Sequence, residues 1–454
     1  MIRRSFVHRF GLLAIGATLC ATTALAGCAP GSNGESGAQS QSGTAEVSTD
    51  VAAAGKVTLN LTDYWSGTEG EWIEKMVSNF EAKYPNVTIN REAQDWNQLN
   101  STLNLRLQED SSPDIATANK GWESLGTIAQ ASLVINLDRY AAAYDWNSKV
   151  PDTLQRQYKF TTDFATMGKG SWFATPIART QLIGLYYNVD KLNSLGIDEP
   201  PTTTDELDKD AALAAAAGET PFYNGSQSSA EVPVFGLQAV YADKTQFSDF
   251  VYGESSVTAK DTGFSQALEK VSEWTGKGYF PKGFEGLDRD TAASNFLKGD
   301  GVFRWDYTGS LSPDNDKKFG YVQIAADNGA VATMGTTPAT MVISSRCKHP
   351  DVAAAFLDYL MSEEAAQAAV DQGLVPGLTT SAATDDNTSL MDSQIKASQA
   401  INSDDGYLPF FDWTTSTMLD TVNQNIQSLY AGRTTVPDII KAVDADRNAF
   451  LAER

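Results

Sequence analysis

The chain has 454 residues, which is long enough for two large domains that each have their own hydrophobic core. It carries 34 Lys and Arg against 57 Asp and Glu, a formal net charge of −23. A surface this acidic is repelled by nucleic-acid phosphates and by anionic lipid headgroups, so the composition argues against a nucleic-acid partner.

The first 27 residues have the pattern of an export signal. Arg3 and Arg4 open a basic stretch, and an apolar run over residues 10–26 follows without any acidic side chain. That run is too short for a typical membrane-spanning helix. The motif LAGC, which ends at Cys28, resembles the lipobox of bacterial lipoproteins and implies that the Cys28 thiol is acylated. Two alternatives stay open: an ordinary export signal that contains a cysteine, and a twin-arginine signal in place of a chance Arg pair.

Residues 28–55 are expected to be the lipidated cysteine and a flexible tether. The segment consists mostly of Gly, Ser, Ala, Thr, Gln and Glu, with almost nothing to bury. About 27 flexible residues give an r.m.s. reach of roughly 30 Å. Such a tether would hold a folded domain just off a membrane surface.

Few side chains of the mature protein could serve a metal site or covalent catalysis. Once the signal is removed, Cys347 is the only cysteine besides Cys28, so no internal disulfide is possible and stability must come from a large core. A histidine-dependent hydrolase or a histidine-bearing zinc site would need His349. A surface histidine in a basic turn is the simpler interpretation, and we expect no cofactor and no metal.

The first ordered segments predict a parallel sheet. Apolar residues alternate with polar ones over residues 57–62, which is typical of a strand. An amphipathic helix from Glu69 to Pro85, a strand over 87–90, a helix with leucines at 99, 103 and 107, and a strand over 113–117 follow. The order β-α-β-α-β implies parallel strands with helices on both faces.

Ligands of such sheets bind beyond the carboxyl ends of the strands. In this sequence those ends carry a run of aromatic and polar side chains: Trp65, Ser66, Asp95, Trp96, Asn119, Lys120 and Trp122.

Later in the chain, apolar runs predict strands over 182–187, 235–241 and 301–307. Helices are expected over 204–218, around Leu268 to Trp274, and then over 352–360, 365–370, 414–430 and 436–451.

Several short motifs together resemble one protein family. In chain order they are FEAKYP at 80–85, SPDI at 112–115, TPI at 175–177 with LYYNVDKL at 185–192, FLKGD at 296–300, AAAFL at 353–357 with SEEA at 362–365, and Ala431-Gly432. Over residues 56–454 the chain resembles the extracellular solute-binding proteins of ATP-binding-cassette (ABC) importers, in the sugar-binding branch of maltose-binding type. Each motif alone is weak, but their order behind a lipobox is specific.

The resemblance implies an α/β fold with two periplasmic-binding-protein-like lobes. Each lobe would have a parallel-type sheet flanked by helices, and crossing strands would join the lobes with a ligand cleft between them. The expected boundaries are 56–178 plus 325–374 for the N-terminal lobe, and 179–324 plus 375–454 for the C-terminal lobe. The implied protein is a non-catalytic monomer, lipid-anchored at the extracellular face of the cell membrane, that delivers an oligosaccharide to ABC permease subunits by lobe closure.

A sugar site needs flat aromatic rings for the CH faces and polar partners for the hydroxyls. Trp65, Trp96, Trp122 and Trp413 are the candidate stacking residues, with a core position as the alternative for each. The candidate polar partners are Ser66, Asp95, Asn119, Lys120, Arg179, Asn224, Asp306 and Asp412, followed by the weaker Tyr307 and Gly335.

The sequence departs from the family pattern near the strand over 301–307. The family's stacking tryptophan is replaced by Leu311, and Trp305 does not simply inherit its role because the strand could bury it. An acidic residue of the family near the first crossing is replaced by Thr180. The identity of the sugar therefore cannot be carried over from the resemblance.

Two rival functions stay open. A secreted enzyme acting on polysaccharide would need two carboxylates about 5–10 Å apart across the sugar, and no local motif supports one. An importer receptor could instead carry a polyol, glycerol phosphate or a peptide, and a phosphate would need several basic groups, of which Lys120 and Arg179 are the obvious candidates.

Overall fold

The computed structural model describes residues 46–453 except 228, 255, 312–315, 337–339, 379–380, 383–388 and 416. The side chains of residues 96, 97 and 123 are also outside the description. The predicted export signal, the lipidation site at Cys28 and most of the predicted tether lie outside the described residues. Residues Val47–Arg454 form one compact unit.

The strands in this unit are β1 (Val57–Asp63), β2 (Val87–Ala93), β3 (Ile115–Ala118), β4 (Lys159–Phe160), β5 (Ser171–Trp172), β6 (Gln181–Asn188), β7 (Phe303–Tyr307), β8 (Phe319–Val322), β9 (Thr333–Thr336), β10 (Thr340–Ile343) and β11 (Tyr407–Leu408). The helices are α1 (Gly67–Lys83), α2 (Trp96–Arg106), α3 (Thr127–Gln130), α4 (Asp138–Ala143), α5 (Trp146–Lys149), α6 (Asp152–Gln155), α7 (Val189–Leu195), α8 (Thr204–Ala216), α9 (Glu231–Tyr241), α10 (Lys244–Tyr252), α11 (Phe264–Gly276), α12 (Arg289–Leu297), α13 (Pro350–Tyr359), α14 (Glu363–Asp371), α15 (Leu390–Ser403), α16 (Met418–Tyr430) and α17 (Val436–Ala452).

The first sheet has the strand order β10-β3-β1-β2. Strand β1 runs parallel to β2 along its whole length, from Val57 opposite Val87, and parallel to β3 on its other side. Strand β10 closes the sheet as an antiparallel partner of β3. The parallel pairing of β1 with β2 and β3 confirms the predicted β-α-β-α-β unit. In the first half of β1 and of β2 the apolar residues are buried and the polar residues between them are exposed, as the alternation predicts.

The second sheet is built around β6 and has the order β11-β9-β6-β7, with β8 also paired to β6. Strands β7, β8 and β9 are all antiparallel to β6, whereas β11 runs parallel to β9. Two sheets flanked by helices make an α/β fold, as the sequence predicts. The parallel type expected for both sheets is wrong for the second one, because three strands run antiparallel to the central β6. In the described residues no helix is long and apolar enough to cross a membrane.

The strand predicted over 235–241 is wrong, because these residues belong to helix α9. Every residue of α9 from Val232 to Val240 is buried, so the helix shows no polar stripe in the sequence. Gly236 lets the helix approach the second sheet closely, since a Cβ there would lie 2.4 Å from the Trp305 ring. Tertiary burial therefore overrides the strand preference of its Val and Phe residues.

The end of the segment expected to be a tether packs on the folded unit. Val51 is only 3% exposed and belongs to the main core. The Asn86 side-chain amide donates hydrogen bonds to the carbonyl oxygens of Val51 and Gly55, both at 2.8 Å, and the Ser48 amide donates one to Asp351 at 3.0 Å. The ordered chain therefore begins about nine residues before the predicted position.

Candidate ligand-binding site

A pocket of about 240 Å³ lies where loops and helix ends from both sheets meet. Asn119 reaches it from the end of β3, Tyr307 from the end of β7, and Asp412 from the turn after β11. Positions beyond strand ends are where ligands of α/β sheets bind. The lining residues are Asn119, Gln181, Glu231, Phe235, Tyr307, Phe410, Asp412, Trp413 and Leu419.

Trp413, Phe410 and Tyr307 form an aromatic wall. The rings of Phe410 and Trp413 pack edge to face with centroids 5.3 Å apart, and those of Tyr307 and Phe410 lie 6.1 Å apart. Gly121 lies directly against Trp413, since a Cβ at position 121 would lie 3.0 Å from the Trp413 Cβ. The φ of +80° at this position also favours glycine, so the backbone can approach Trp413 closely. Trp413 keeps 8% of its surface exposed, which leaves part of the ring open to the pocket.

Glu231 and Asp412 supply the carboxyl groups of the pocket. Burial raises the pKa of Glu231 to about 7, and the charge of Asp412 adds to the shift. A hydrogen bond from the backbone, the charge of Arg289 and a hydrogen bond with the Asn423 side chain oppose it. Among the described residues, the buried Oε2 atom of Glu231 has no hydrogen-bond partner. The pocket thus contains a carboxyl group that is close to its titration point at neutral pH.

Lys120 is buried beside the aromatic wall but does not line the pocket. Its Nζ lies 5.3 Å from the centroid of the Trp413 ring and 5.6 Å from that of Tyr158. Burial holds its pKa well below the usual value, because a charged amine is disfavoured away from water. Lys120 therefore supports the stacking surface from outside the pocket.

Asp306 and Asn224 have structural partners rather than a place in the pocket lining. Asp306, 1% exposed, accepts hydrogen bonds from Arg289 at 3.0 and 2.6 Å and from Arg304 at 2.9 and 2.5 Å. Asn224 binds both backbone polar atoms of Trp305, at 2.8 and 3.1 Å. These contacts tie β7 to the loops around it.

Three tryptophans that the sequence offered as possible ligand contacts lie in the core and are not part of the pocket lining. Trp65 is fully buried and packs edge to face on Trp72 at 6.1 Å. Trp305 is 1% exposed and packs under α9. Trp122 is 8% exposed and its ring packs on Phe160 at 5.0 Å.

Arg179 is 2% exposed and lies between the rings of Trp65 and Trp72, at 5.5 Å from each centroid. Its Nη1 donates to Glu69 at 2.6 Å, so the residue ties the segment before β6 to helix α1. It does not line the pocket.

The other predicted residues occupy element ends. Ser66 is exposed at the start of α1, and the Asp95 carboxylate accepts a hydrogen bond from the Gln98 amide at the start of α2. Gly335 allows β9 to approach β6, since a Cβ would lie 2.5 Å from the Gln181 carbonyl oxygen. The side chain of Trp96 lies outside the described residues. Of the predicted site residues, the structure brings Asn119, Tyr307, Asp412 and Trp413 together in the pocket.

Comparison with known proteins identifies the family. A family model for bacterial extracellular solute-binding proteins matches residues 75–397. This chain belongs to that family. The family predicted from the sequence motifs is therefore confirmed.

Individual relatives of this solute-binding protein agree with the assignment. A protein of Brucella abortus (strain 2308) that is named as a binding protein is 24% identical over 411 residues, 88% of this chain and 94% of its own. A solved structure of a chitin oligosaccharide binding protein has a TM-score of 0.66 at 20% identity, covering 87% of this chain and 99% of the other. The cyclic α-maltosyl-1,6-maltose binding protein of Arthrobacter globiformis has a TM-score of 0.66 at 19% identity, covering 88% and 100%. The fold is therefore the two-lobed, periplasmic-binding-protein-like one expected.

Five residues of the pocket were missed by reasoning from the sequence: Gln181, Glu231, Phe235, Phe410 and Leu419. Phe235 was missed because residues 235–241 were predicted to form a strand, and no element was predicted at Glu231, which begins α9. Gln181 lies two residues from Arg179, and Phe410 and Leu419 flank Asp412 and Trp413, so proximity to predicted residues was the available signal. Within the described residues no cluster of His, Cys, Asp or Glu could hold a metal ion.

Proposed function

We propose that this solute-binding protein is the substrate-binding lipoprotein of an ABC transporter and captures an oligosaccharide outside the cell. The observation that carries the proposal is the pocket, whose lining combines the aromatic wall with two carboxyl groups and two amides. The rings suit the apolar CH faces of a sugar, and the polar side chains suit its hydroxyl groups. The names of the similar structures, which include two oligosaccharide-binding proteins, support the same ligand class.

Anchoring and delivery are parts of the same proposal. Cys28 would carry the lipid, and the tether would end near residue 46, where the compact unit begins. About 18 flexible residues have an r.m.s. reach of roughly 25 Å. Closure of the predicted lobes, 56–178 plus 325–374 and 179–324 plus 375–454, around the sugar would present the loaded form to the permease.

A phosphate-bearing cargo has little support from the pocket. The two basic residues proposed for it, Lys120 and Arg179, are both buried outside the lining. Glu231 and Asp412 would instead repel a phosphate.

Titration calorimetry on the mature chain, residues 28–454 with Cys28→Ser, tests the proposal. The panel contains neutral xylo-, arabino-, malto-, gluco-, galacto- and fructo-oligosaccharides. Saturable one-to-one binding of at least one sugar is expected. If no sugar in the panel binds, the ligand class is not oligosaccharide and the proposal fails.

A polysaccharide-acting enzyme is the second candidate, and one observation favours it. A glycosidase uses one carboxyl group with a raised pKa as the acid and a second carboxylate nearby, and Glu231 and Asp412 share a pocket in which the pKa of Glu231 is about 7. Chemical analysis of each sugar after incubation separates the two functions. The receptor returns every sugar unchanged, whereas an enzyme shortens it.

A further inference from the structure

A second pocket, of about 380 Å³, lies between helix α8 and the loop that follows α7. Its lining comes from loop residues 196–202 and from Glu206, Lys209, Asp210 and Leu213 of α8. We call it the α8 pocket. It shares no lining residue with the pocket proposed for the sugar, so the proposed function does not account for it.

Asp210 is a charged residue on the core-facing side of α8. Leu207, Ala211 and Ala214 lie on the same side of the helix, and all three are buried. Asp210 itself is only 7% exposed, and it lines the α8 pocket. A carboxylate at such a position normally has a hydrogen-bond donor or a cation as its partner.

Within the part of the chain that the structure describes, the Asp210 carboxylate accepts no hydrogen bond and forms no ion pair. Burial raises the pKa of Asp210, the charge of Lys209 opposes the shift, and the charge of Glu206 adds to it. Lys209 is exposed and makes no ion pair with a described carboxylate. Asp210 is therefore a buried charge whose partner the described chain does not supply.

The other charges of the α8 pocket are mostly acidic. Asp198, Glu199 and Glu206 line it as well, and Lys209 is the one basic residue in the described lining. Glu206 is already engaged, because it accepts hydrogen bonds from the Thr202 amide and hydroxyl at 2.8 and 3.0 Å. The pocket therefore attracts a cation and repels an anion.

The apolar part of the lining indicates what kind of cation fits. Ile197, Pro200, Pro201 and Leu213 line the α8 pocket, and Leu213 is 42% exposed. Within the described residues no cluster of His, Cys, Asp or Glu could hold a metal ion. An organic cation on an aliphatic chain would instead pack its CH₂ groups on the apolar residues and place its charged end at Asp210.

We propose that the α8 pocket binds an alkylammonium or alkylguanidinium group, with Asp210 as the carboxylate that pairs with it. Two sources offer this chemistry: a small free amine or guanidine, and the Lys or Arg side chain of a partner protein. The site is separate from sugar binding, and its occupation does not depend on the proposed receptor function.

Titration calorimetry on the mature chain, residues 28–454 with Cys28→Ser, tests the proposal with matched probes. The free probe is n-butylguanidinium, and its uncharged counterpart is n-butylurea. The peptide probe is the capped tripeptide Gly-Arg-Gly, and its uncharged counterpart carries citrulline in place of arginine. At least one cation is expected to bind about tenfold more tightly than its urea counterpart.

The two arms distinguish the sources. Tighter binding of the butylguanidinium ion indicates a free ligand, whereas tighter binding of the arginine peptide indicates the side chain of a partner. If neither cation binds, or if the uncharged counterparts bind as tightly, the proposal is overturned.

Variants connect the binding to Asp210. Asp210→Asn should lower the affinity for the cation about tenfold. It should also fold, because it removes a buried charge that lacks a partner. Asp205→Asn makes the same change at an exposed position of α8 outside the lining and should leave the affinity unchanged.

Glu199→Gln provides a second test that does not disturb the core, because Glu199 is exposed in the loop. It should weaken cation binding by roughly threefold. Affinities that equal the parent's in both Asp210→Asn and Glu199→Gln would overturn the proposal, because the cation would then bind elsewhere.

Discussion

At the scale of single residues, the site depends on side chains whose partners lie far apart in the sequence. Gly121 packs against the Cβ of Trp413, and Lys120 lies beside its ring. Both residues precede Trp413 by almost 300 positions in the sequence. Asp306 was predicted to face ligand because of its strand position, yet Arg289 and Arg304 both bind it. The face of a strand on which a residue lies can be predicted from the sequence. The residue that will form an ion pair with a buried charge cannot be predicted in this way, because it comes from a distant part of the chain.

Substitution of Trp413 by Ala should weaken sugar binding by at least about tenfold, ~1.4 kcal/mol, because the stacking surface of the pocket is removed. Calorimetry with the tightest-binding sugar measures the loss. Trp122→Ala removes the same ring from a position outside the lining and should leave the affinity unchanged in the folded protein. Equal affinities for the parent and Trp413→Ala would show that this ring does not contact the sugar.

Glu231 should make the unliganded protein less stable as the pH rises. Its folded pKa of about 7 exceeds the ordinary value of 4.5, so the folded state holds the proton more tightly than the unfolded state does. The free energy of unfolding therefore falls between pH 4.5 and about 7, by at most ~3.4 kcal/mol from this group.

Urea unfolding of the parent and Glu231→Gln across that pH window isolates the contribution. The variant should gain stability relative to the parent as the pH rises, and the difference should level off above pH 7. A difference that does not change with pH would show that Glu231 titrates normally.

At the scale of elements, amphipathic segments were predictable and fully buried ones were not. The alternation in β1 and the apolar stripe of α1 each place one face in the core, so their patterns identify them. Helix α9 lacks such a pattern because Val232 to Val240 are buried on every side. Without the pattern of a helix in this segment, the sequence does not indicate that Glu231 and Phe235 line the pocket.

Gly236→Ala should destabilise the protein by roughly 1–3 kcal/mol, because the added Cβ would meet the rigid Trp305 ring at 2.4 Å. Gly276→Ala at the end of α11 is the matched control, since nothing lies within 4 Å of a Cβ there. That change should be neutral or stabilising by up to ~1 kcal/mol. Equal stability of the two variants in urea unfolding would contradict the close packing of α9 on the second sheet.

At the scale of the whole molecule, the motifs identified the family and the strand pattern identified the first sheet. Neither showed where the folded unit begins. The residues before Lys56 are mostly small and polar, so their composition predicts a linker. Their hydrogen bonds with Asn86 and Asp351 show that the last part of this segment is packed on the folded unit. Such contacts join positions about 35 and 300 residues apart, which local composition does not reveal.

A fragment that starts at residue 56 should be less stable than one that starts at residue 47, by roughly 2–4 kcal/mol. The shorter fragment loses the buried Val51 side chain and the hydrogen bonds that the Asn86 amide makes to this segment. Urea unfolding of both fragments measures the difference. Within the longer fragment, Val51→Asp should reproduce most of it, and coincident unfolding curves of the two fragments would contradict the packing of this segment.

The central claim is that the pocket between Trp413 and Glu231 is where this solute-binding protein holds its sugar. A crystal structure with the tightest-binding sugar from the calorimetric panel tests it most directly. We predict a sugar ring stacked on Trp413, with a hydroxyl group in hydrogen-bond contact with Glu231 or Asp412. A sugar bound elsewhere, with the rings of Trp413 and Tyr307 free of it, would contradict the account.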